Sequence, residues 1–155
     1  MLKKIKPYVI SIAIALAIGG LSAIVTQSNM NIYKQIIKPP LAPPSILFPI
    51  VWTILYILMG ISSARVWVKD KEKSKEVLFI YALSLVVNFF WSIIFFNMQM
   101  FLASFIWLIL LWVLIILTIK GYLKISKLAG YLQIPYLLWV TFAGYLNLMI
   151  YILNR

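Results

Sequence analysis

The sequence contains neither cysteine nor histidine. Without cysteine, the chain has no disulfide, no thiolate nucleophile and no zinc–thiolate site. Without histidine, it lacks the commonest haem ligand, metal ligand and general base. Haem chemistry with ordinary axial ligation is therefore disfavoured, no metal site is expected, and no cofactor is required by any feature of the chain.

Acidic residues are also scarce, with three against fourteen basic ones. Asp70, Glu72 and Glu76 lie in one lysine-rich stretch, so no carboxylate falls inside an apolar run. A paired-carboxylate site and an intramembrane proton relay are therefore excluded. A net charge of +11 can indicate nucleic acid binding, but here the basic residues form short patches between apolar runs. That arrangement is typical of membrane flanks, and we expect no nucleic acid partner.

Long runs of apolar residues make up most of the sequence. Hydrophobic residues account for 65% of the chain and charged residues for 11%, whereas soluble domains carry about 25% charged residues. A membrane-spanning helix needs roughly 20 apolar residues. The sequence therefore predicts an all-α membrane protein with one domain over residues 1–155 and five spans, at 8–27, 46–68, 77–96, 101–119 and 131–152.

The first apolar run follows Lys3, Lys4 and Lys6, as in a secretory signal peptide, and Gly20 and Ser22 are small enough for a cleavage site. A signal peptide has an apolar region of about 7–15 residues. This run is longer, and we predict an uncleaved first helix.

The connections between spans are polar. Residues 28–45 contain four prolines, which exclude a regular spanning helix. We predict a charged turn at 69–76, a tight connection at 97–100 and a lysine-bearing connection at 120–130.

Basic residues are distributed unequally between the two sides. With five spans, ten lysines lie on the same side of the membrane as the N-terminus: Lys3, Lys4, Lys6, Lys69, Lys71, Lys73, Lys75, Lys120, Lys124 and Lys127. Three basic residues lie on the other side: Lys34, Lys38 and Arg155. Because basic residues concentrate on the cytoplasmic side, this bias predicts a cytoplasmic N-terminus and an outer C-terminus.

Polar and aromatic residues share one face of the third span. Asn88, Trp91, Ser92 and Phe95 follow the i, i+3, i+4, i+7 spacing of a helical face. An amide in hydrocarbon is costly unless it is hydrogen-bonded, so Asn88 here and Asn147 in the fifth span are both expected to face the bundle interior. Interhelical bonding is one explanation, and a ligand pocket beside Trp91 is the one we favour.

A similar face occurs in the fifth span, where Trp139, Ala143 and Asn147 are four residues apart. For Asn147, interhelical bonding and ligand contact are both open. Most membrane tryptophans belong to interfacial belts, but Trp52 and Trp139 lie several residues inside their spans. The second and fifth spans are therefore expected to present two indoles to one cavity.

Three motifs occur in order along the chain. The proline loop leads into the second span with Tyr33, Lys38-Pro39-Pro40, Pro43-Pro44, Trp52, Tyr56 and Met59-Gly60. The third span adds Asn88-x-x-Trp91, and the fifth adds Pro135-Tyr136-Leu137-x-Trp139-x-x-Phe142-Ala143-x-x-Leu146-Asn147. Over nearly the whole chain after the first span, this pattern resembles the translocator protein family, also called the tryptophan-rich sensory protein or peripheral benzodiazepine receptor family. The chain departs from it at Ile32 and Leu41, where the family often has tryptophan.

The resemblance implies a five-helix bundle whose internal pocket is covered by the loop between the first two spans, in a homodimer in a bacterial cell membrane. Family members bind porphyrins such as protoporphyrin IX, as well as drug ligands of the isoquinoline carboxamide and benzodiazepine types. Some promote light- and oxygen-dependent breakdown of protoporphyrin, and eukaryotic members bind cholesterol. Carried over by motif, the implied pocket residues are Tyr33, Pro43, Pro44, Trp52, Asn88, Trp91, Ser92, Trp139, Ala143 and Asn147.

The chemistry of the residues agrees with such a ligand. A large flat aromatic molecule needs stacking surfaces and few polar anchors, which Trp52, Trp91, Trp139 and Phe90 offer. A metal-free porphyrin needs no axial ligand. Because indole is the most oxidisable side chain left without cysteine, Trp52 and Trp139 are the candidate catalytic residues for porphyrin breakdown; the alternative is that they only stack.

Three functions follow as hypotheses. The first is a membrane receptor for porphyrins and drug-like aromatic ligands, with light-dependent porphyrin breakdown. The second is a transporter of porphyrin or another small molecule, for which proton coupling is disfavoured because no carboxylate lies in the spans. The third is a regulatory membrane scaffold. Leu148, Tyr151 and Arg155 match a weak cholesterol pattern, but they are explained equally well as interfacial anchors.

Overall fold

A computed structural model describes residues 1–155 and contains helices without strands. The helices are α1 (Leu2–Thr26), α2 (Ile32–Gln35), α3 (Leu47–Lys69), α4 (Lys71–Ser92), α5 (Phe101–Ile125), α6 (Lys127–Leu132) and α7 (Ile134–Leu153). A 3-10 turn (Gln27–Asn29) extends α1, and a π-helical turn (Ile93–Asn97) extends α4. Five helical segments have the length and apolarity to cross a membrane, at Leu2–Asn29, Leu47–Lys69, Lys71–Asn97, Phe101–Ile125 and Lys127–Leu153. The predicted all-α fold with five spans is confirmed.

The predicted charged turn at 69–76 is wrong, because the helical chain breaks at Asp70 alone. Asp70 is extended (φ −156°, ψ 95°), and its carboxylate accepts a hydrogen bond of 3.1 Å from the backbone N–H of Lys73. This N-cap lets α4 start at Lys71, and Glu72 pairs with Lys75 at 2.9 Å on its first turns. The backbone N–H of Lys73 also lowers the pKa of Asp70 below its ordinary value.

The connection predicted at 120–130 is likewise mostly helical. Helix α5 continues to Ile125, and the hydroxyl of Ser126 accepts a bond from the backbone N–H of Ala129 at 3.4 Å, which caps α6. The fifth span therefore begins at Lys127 and contains a break at Gln133. Pro135 fits the first turn of α7, where a missing N–H costs nothing.

Packing joins α1 to α3 and α5 to both α4 and α7, whereas α3 and α7 contact each other sparsely. Close approach of α1 and α3 depends on Gly60, because a Cβ there would lie 2.5 Å from the Cα of Ile12. Small residues allow such backbone contact between membrane helices. The sparse contact between α3 and α7 leaves the seam where the candidate site lies.

Candidate functional site

The proline-rich segment is tied to the C-terminal half of α7. The backbone N–H of Ile37 donates to the side-chain oxygen of Asn154 at 2.9 Å, and the Asn154 amide donates back to the Ile37 carbonyl at 2.9 Å. The hydroxyl of Tyr145 donates to the carbonyl of Pro40 at 3.0 Å. These contacts place residues 36–46 at the end of the bundle where α3 begins and α7 ends.

Tyr33 holds the segment together from within. Its hydroxyl donates to the Pro43 carbonyl at 2.8 Å, and Lys38 donates to the Tyr33 carbonyl at 2.9 Å with its ammonium 5.0 Å from the ring centroid. Burial raises the pKa of Tyr33. Pro43 is half-buried, whereas Pro44 is exposed. Leu41 adopts a left-handed conformation (φ 69°) and is exposed.

Aromatic contacts continue from this segment into the seam between α3 and α7. The ring of Tyr33 meets Phe48 edge-on at 5.1 Å, Phe48 meets Trp139 at 6.0 Å, and Trp139 meets Phe142 at 5.6 Å. The loop, the start of α3 and the middle of α7 thus share one aromatic surface.

A second aromatic group surrounds Trp52. Its ring stacks on Tyr56 at 5.6 Å and meets Tyr136 edge-on at 6.1 Å. The Asn88 amide donates to the Tyr56 hydroxyl at 3.0 Å, so the amide links α4 to α3. Tyr136 is 1% exposed and its hydroxyl has no partner.

The amide of Asn147 joins three helical segments. Its oxygen accepts from the indole N–H of Trp91 at 3.0 Å and from the hydroxyl of Ser104 at 3.1 Å. Its nitrogen donates to the Phe101 carbonyl at 2.8 Å. With Asn88 and Asn147 exposed by 2% and 1%, the prediction that both amides face the interior is confirmed; here both bond helices together, and contact with a ligand stays a prediction.

A cavity of about 400 Å³ lies in the seam between α3 and α7. It opens toward the lateral surface of the helix bundle, where Ile54 and Leu138 are more than half exposed. The buried indole N–H of Trp139 has no partner, and it is one turn along α7 from the unpaired Tyr136 hydroxyl. The lining residues are Val51, Ile54, Leu55, Leu58, Pro135, Leu138, Trp139 and Phe142.

The sequence-predicted residues do not form one continuous wall. Trp139 lines the cavity, whereas Trp52 is turned toward Tyr56 and Tyr136, so the two indoles do not share this cavity. Ala143 is buried in the core, and Ser92 is half-buried without a side-chain hydrogen bond in the structure. Phe90 is 45% exposed and packs on Phe89, so the structure does not bring it to the other candidates.

Several neighbours of the site were missed by reasoning from sequence. Tyr136 precedes Trp139 by three residues, which puts both on one face of α7, and this spacing could have identified it. Phe48, Ser104 and Asn154 contact the site from other elements, and no local pattern marks them.

Known proteins resemble the chain over most of its length. The family model described as TspO/MBR family matches residues 11–153. "Tryptophan-rich protein TspO" of Chlorobaculum tepidum is 41% identical over 99% of both chains, and the protein of the same name from Archaeoglobus fulgidus is 40% identical over 94% of this chain and 95% of its own. "Translocator protein" of Bos taurus is 33% identical over 74% of this chain and 70% of its own. With its five apolar helices, the chain is a multi-pass integral membrane protein that belongs to the TspO/MBR family.

Proposed function

We propose that the protein is a membrane receptor that binds porphyrins, protoporphyrin IX among them, and drug-like aromatic ligands of the isoquinoline carboxamide and benzodiazepine types. The observation that carries the proposal is the apolar cavity between α3 and α7, with Trp139 in its wall, whose buried indole N–H has no partner. Small-molecule sites occupy about 300–1,000 Å³ and combine apolar walls with a few polar groups. Flat ligands gain contact from aromatic walls, and a ligand carbonyl or carboxylate would accept a hydrogen bond from the Trp139 indole.

We further propose that bound protoporphyrin IX is broken down in light and oxygen. First, the excited porphyrin accepts one electron from an indole, which gives a porphyrin radical anion and an indole radical cation. Dioxygen then adds to the porphyrin radical anion by forming a carbon–oxygen bond, and the resulting peroxyl radical anion returns one electron to the indole radical cation. The net reaction adds dioxygen to the porphyrin and regenerates the indole. Trp139 at the cavity and Trp52 behind it, in contact with Tyr56 and Tyr136, are the proposed donors.

The test separates binding from chemistry with a Trp52→Phe, Trp139→Phe variant. Phenylalanine keeps much of the stacking surface but is far harder to oxidise, so affinity should change by about 1 kcal/mol while photodegradation is lost. Porphyrin absorbance under illumination and quenching of protein fluorescence measure the two. The matched control is Trp112→Phe, because Trp112 is 39% exposed and bonds Thr141 away from the cavity.

Two results would contradict parts of the proposal. A double variant that degrades porphyrin at the wild-type rate would remove the redox role and leave the receptor role intact. Affinity and degradation that fall in proportion would show that the indoles only stack.

Transport is the second candidate function, and the opening of the cavity toward the lateral surface of the helix bundle favours it. Ile54 and Leu138 at its rim are 53% and 64% exposed, so a lipid-soluble molecule can reach it from the bilayer. Uptake of porphyrin into proteoliposomes, compared with protein-free vesicles, distinguishes a transporter from a receptor that binds without net movement.

For the cellular setting, we propose a bacterial cell membrane with the N-terminus in the cytoplasm, and a homodimer. The charge bias on the connections supports the orientation. A reporter fused after Arg155 should lie outside the cytoplasm, and a cytoplasmic reporter would reverse the assignment. Cross-linking of the protein in native membranes tests the dimer.

A further inference from the structure

The end of the bundle that carries the N-terminus is strongly basic. In addition to the ten lysines identified from sequence, Arg65 is exposed near the end of α3. All three carboxylates also lie at this end, but they belong to the start of α4, where Asp70 pairs with Lys73 and Glu72 with Lys75. The remaining cations therefore lack carboxylate partners.

One group of these cations is organised around a helix junction. The hydroxyl of Ser62 donates to the carbonyl of Ala129 at 2.7 Å, which holds α3 against α6. One turn along α3, the Nε of Arg65 donates to the hydroxyl of Ser126 at 3.2 Å, in the break between α5 and α6. This bond fixes the guanidinium at the junction, and its two terminal nitrogens have no protein partner.

Further lysines lie close along the chain to the two residues of this bond. Lys124 and Lys127 lie on either side of Ser126, and Lys69 lies one turn beyond Arg65 on α3; all three are exposed. A guanidinium with free terminal nitrogens matches the oxygens of a phosphate in a two-bond geometry. The lysines add charge without a geometric requirement, so together they suit a phosphate group.

The depth of this junction points to a lipid headgroup. Arg65 lies four residues before the end of α3, which is roughly 6 Å inside it along the helix axis. Trp67 is 36% exposed on the same stretch, with the Lys71 ammonium 5.6 Å from its ring centroid, and tryptophan marks the membrane interface. Basic pockets between membrane helices at this level bind anionic headgroups.

We propose that Arg65, with Lys124 and Lys127, forms a binding site for the phosphate of an anionic phospholipid at the junction of α3, α5 and α6. The site is separate from the cavity between α3 and α7, so it stands or falls independently of the porphyrin proposal. Free inorganic phosphate offers the same oxygen acceptors as a phospholipid headgroup, so a separate arm of the experiment tests whether it competes for the site.

The experiment uses the full chain in vesicles of phosphatidylcholine with a minority of phosphatidylglycerol. The protein is extracted in mild detergent, and the ratio of the two retained lipids is measured by mass spectrometry. Wild-type protein should retain phosphatidylglycerol in excess over its share in the vesicle. Arg65→Gln should reduce this enrichment about fivefold, as expected for one cation near an anionic surface, and Arg65→Lys should give an intermediate value.

The matched control is Lys73→Gln, which removes the same charge at the same end from a residue already paired with Asp70. It should retain wild-type enrichment. Equal loss in Arg65→Gln and Lys73→Gln would show bulk charge attraction and overturn the site. If Arg65→Gln does not fold, the exposed Lys127→Gln carries the test, and unchanged enrichment in that variant overturns the proposal. Displacement of phosphatidylglycerol by millimolar inorganic phosphate would assign the site to free phosphate instead.

Discussion

The amide of Asn147 offers the sharpest test of how the bundle is held together. Replacement by leucine keeps the volume close but removes three hydrogen bonds, to Trp91, Ser104 and the Phe101 carbonyl. The single hydroxyl proton of Ser104 lies within reach of both the Asn147 oxygen and the Phe101 carbonyl, the latter at 2.9 Å, so in the variant it bonds the carbonyl and both groups keep a partner. The indole N–H of Trp91 is the group left unpaired.

The expected cost follows from these bonds. Hydrogen bonds between membrane helices contribute about 0.6 kcal/mol on average, so the two bonds whose donors are not re-used, from Trp91 and from the Asn147 amide, contribute about 1 kcal/mol. A buried unpaired donor adds about 1–3 kcal/mol. Asn147→Leu should therefore destabilise the ligand-free protein by about 2–4 kcal/mol, which lowers Tm by roughly 4–16 °C at 2–4 °C per kcal/mol.

A double-mutant cycle isolates the bond to Trp91. Thermal unfolding in detergent is measured for Asn147→Leu, Trp91→Phe and the double variant. Because Trp91→Phe removes the donor that Asn147→Leu leaves unpaired, the double variant should be about 1 kcal/mol more stable than the sum of the single changes predicts. Additivity within about 0.5 kcal/mol would refute the reasoning. Trp112→Phe, whose indole bonds Thr141 on the exposed face at 2.9 Å, is the control and should cost little.

Three further predictions concern other parts of the bundle. Gly60→Ala should lower Tm, because its Cβ would meet the backbone of Ile12. We expect a loss of stability at the upper end of the roughly 1–3 kcal/mol range for overpacking. Gly20→Ala, with open space around it, should not lower Tm. The lowered pKa of Asp70 stabilises the start of α4 at pH values above its ordinary 3.8, and the effect is lost as the pH falls through the lowered value; Asp70→Asn should abolish this acid dependence in amide hydrogen exchange. Ala143→Thr adds two atoms to a residue buried one turn beyond the cavity lining, so porphyrin affinity should fall roughly tenfold, whereas unchanged binding would remove it from the pocket.

The spans were predictable because the bilayer requires long apolar segments with internally satisfied backbones. Their ends were not, because they depend on single capping side chains. Asp70 and Ser126 are each the only residue between two helices, and each caps the helix that follows. Charged residues that hydropathy assigns to turns therefore form the first turns of helices.

The inward direction of Asn88 and Asn147 was predictable from the cost of burying an amide. Their partners were not, since these depend on the rotation of neighbouring helices. The outward direction of Phe90 was also predictable: it follows Asn88 by two residues, and such residues point to different sides of a helix. Its 45% exposure follows from that spacing.

The hydrogen bonds between the proline-rich segment and α7 have a consequence for the rate of ligand exchange. Three exposed bonds, two through Asn154 and one through Tyr145, contribute about 1 kcal/mol each. A docking free energy near 3 kcal/mol leaves roughly 1% of molecules with the segment released. Any ligand that must pass beneath it enters and leaves only through that rare population, so its association and dissociation rates are both slowed by about a hundredfold, whereas its affinity is unchanged when the segment closes again over the bound ligand. Substitution of Asn154 would then speed the exchange of such a ligand without touching it, and variants of the segment would differ in ligand kinetics while their pockets stay identical.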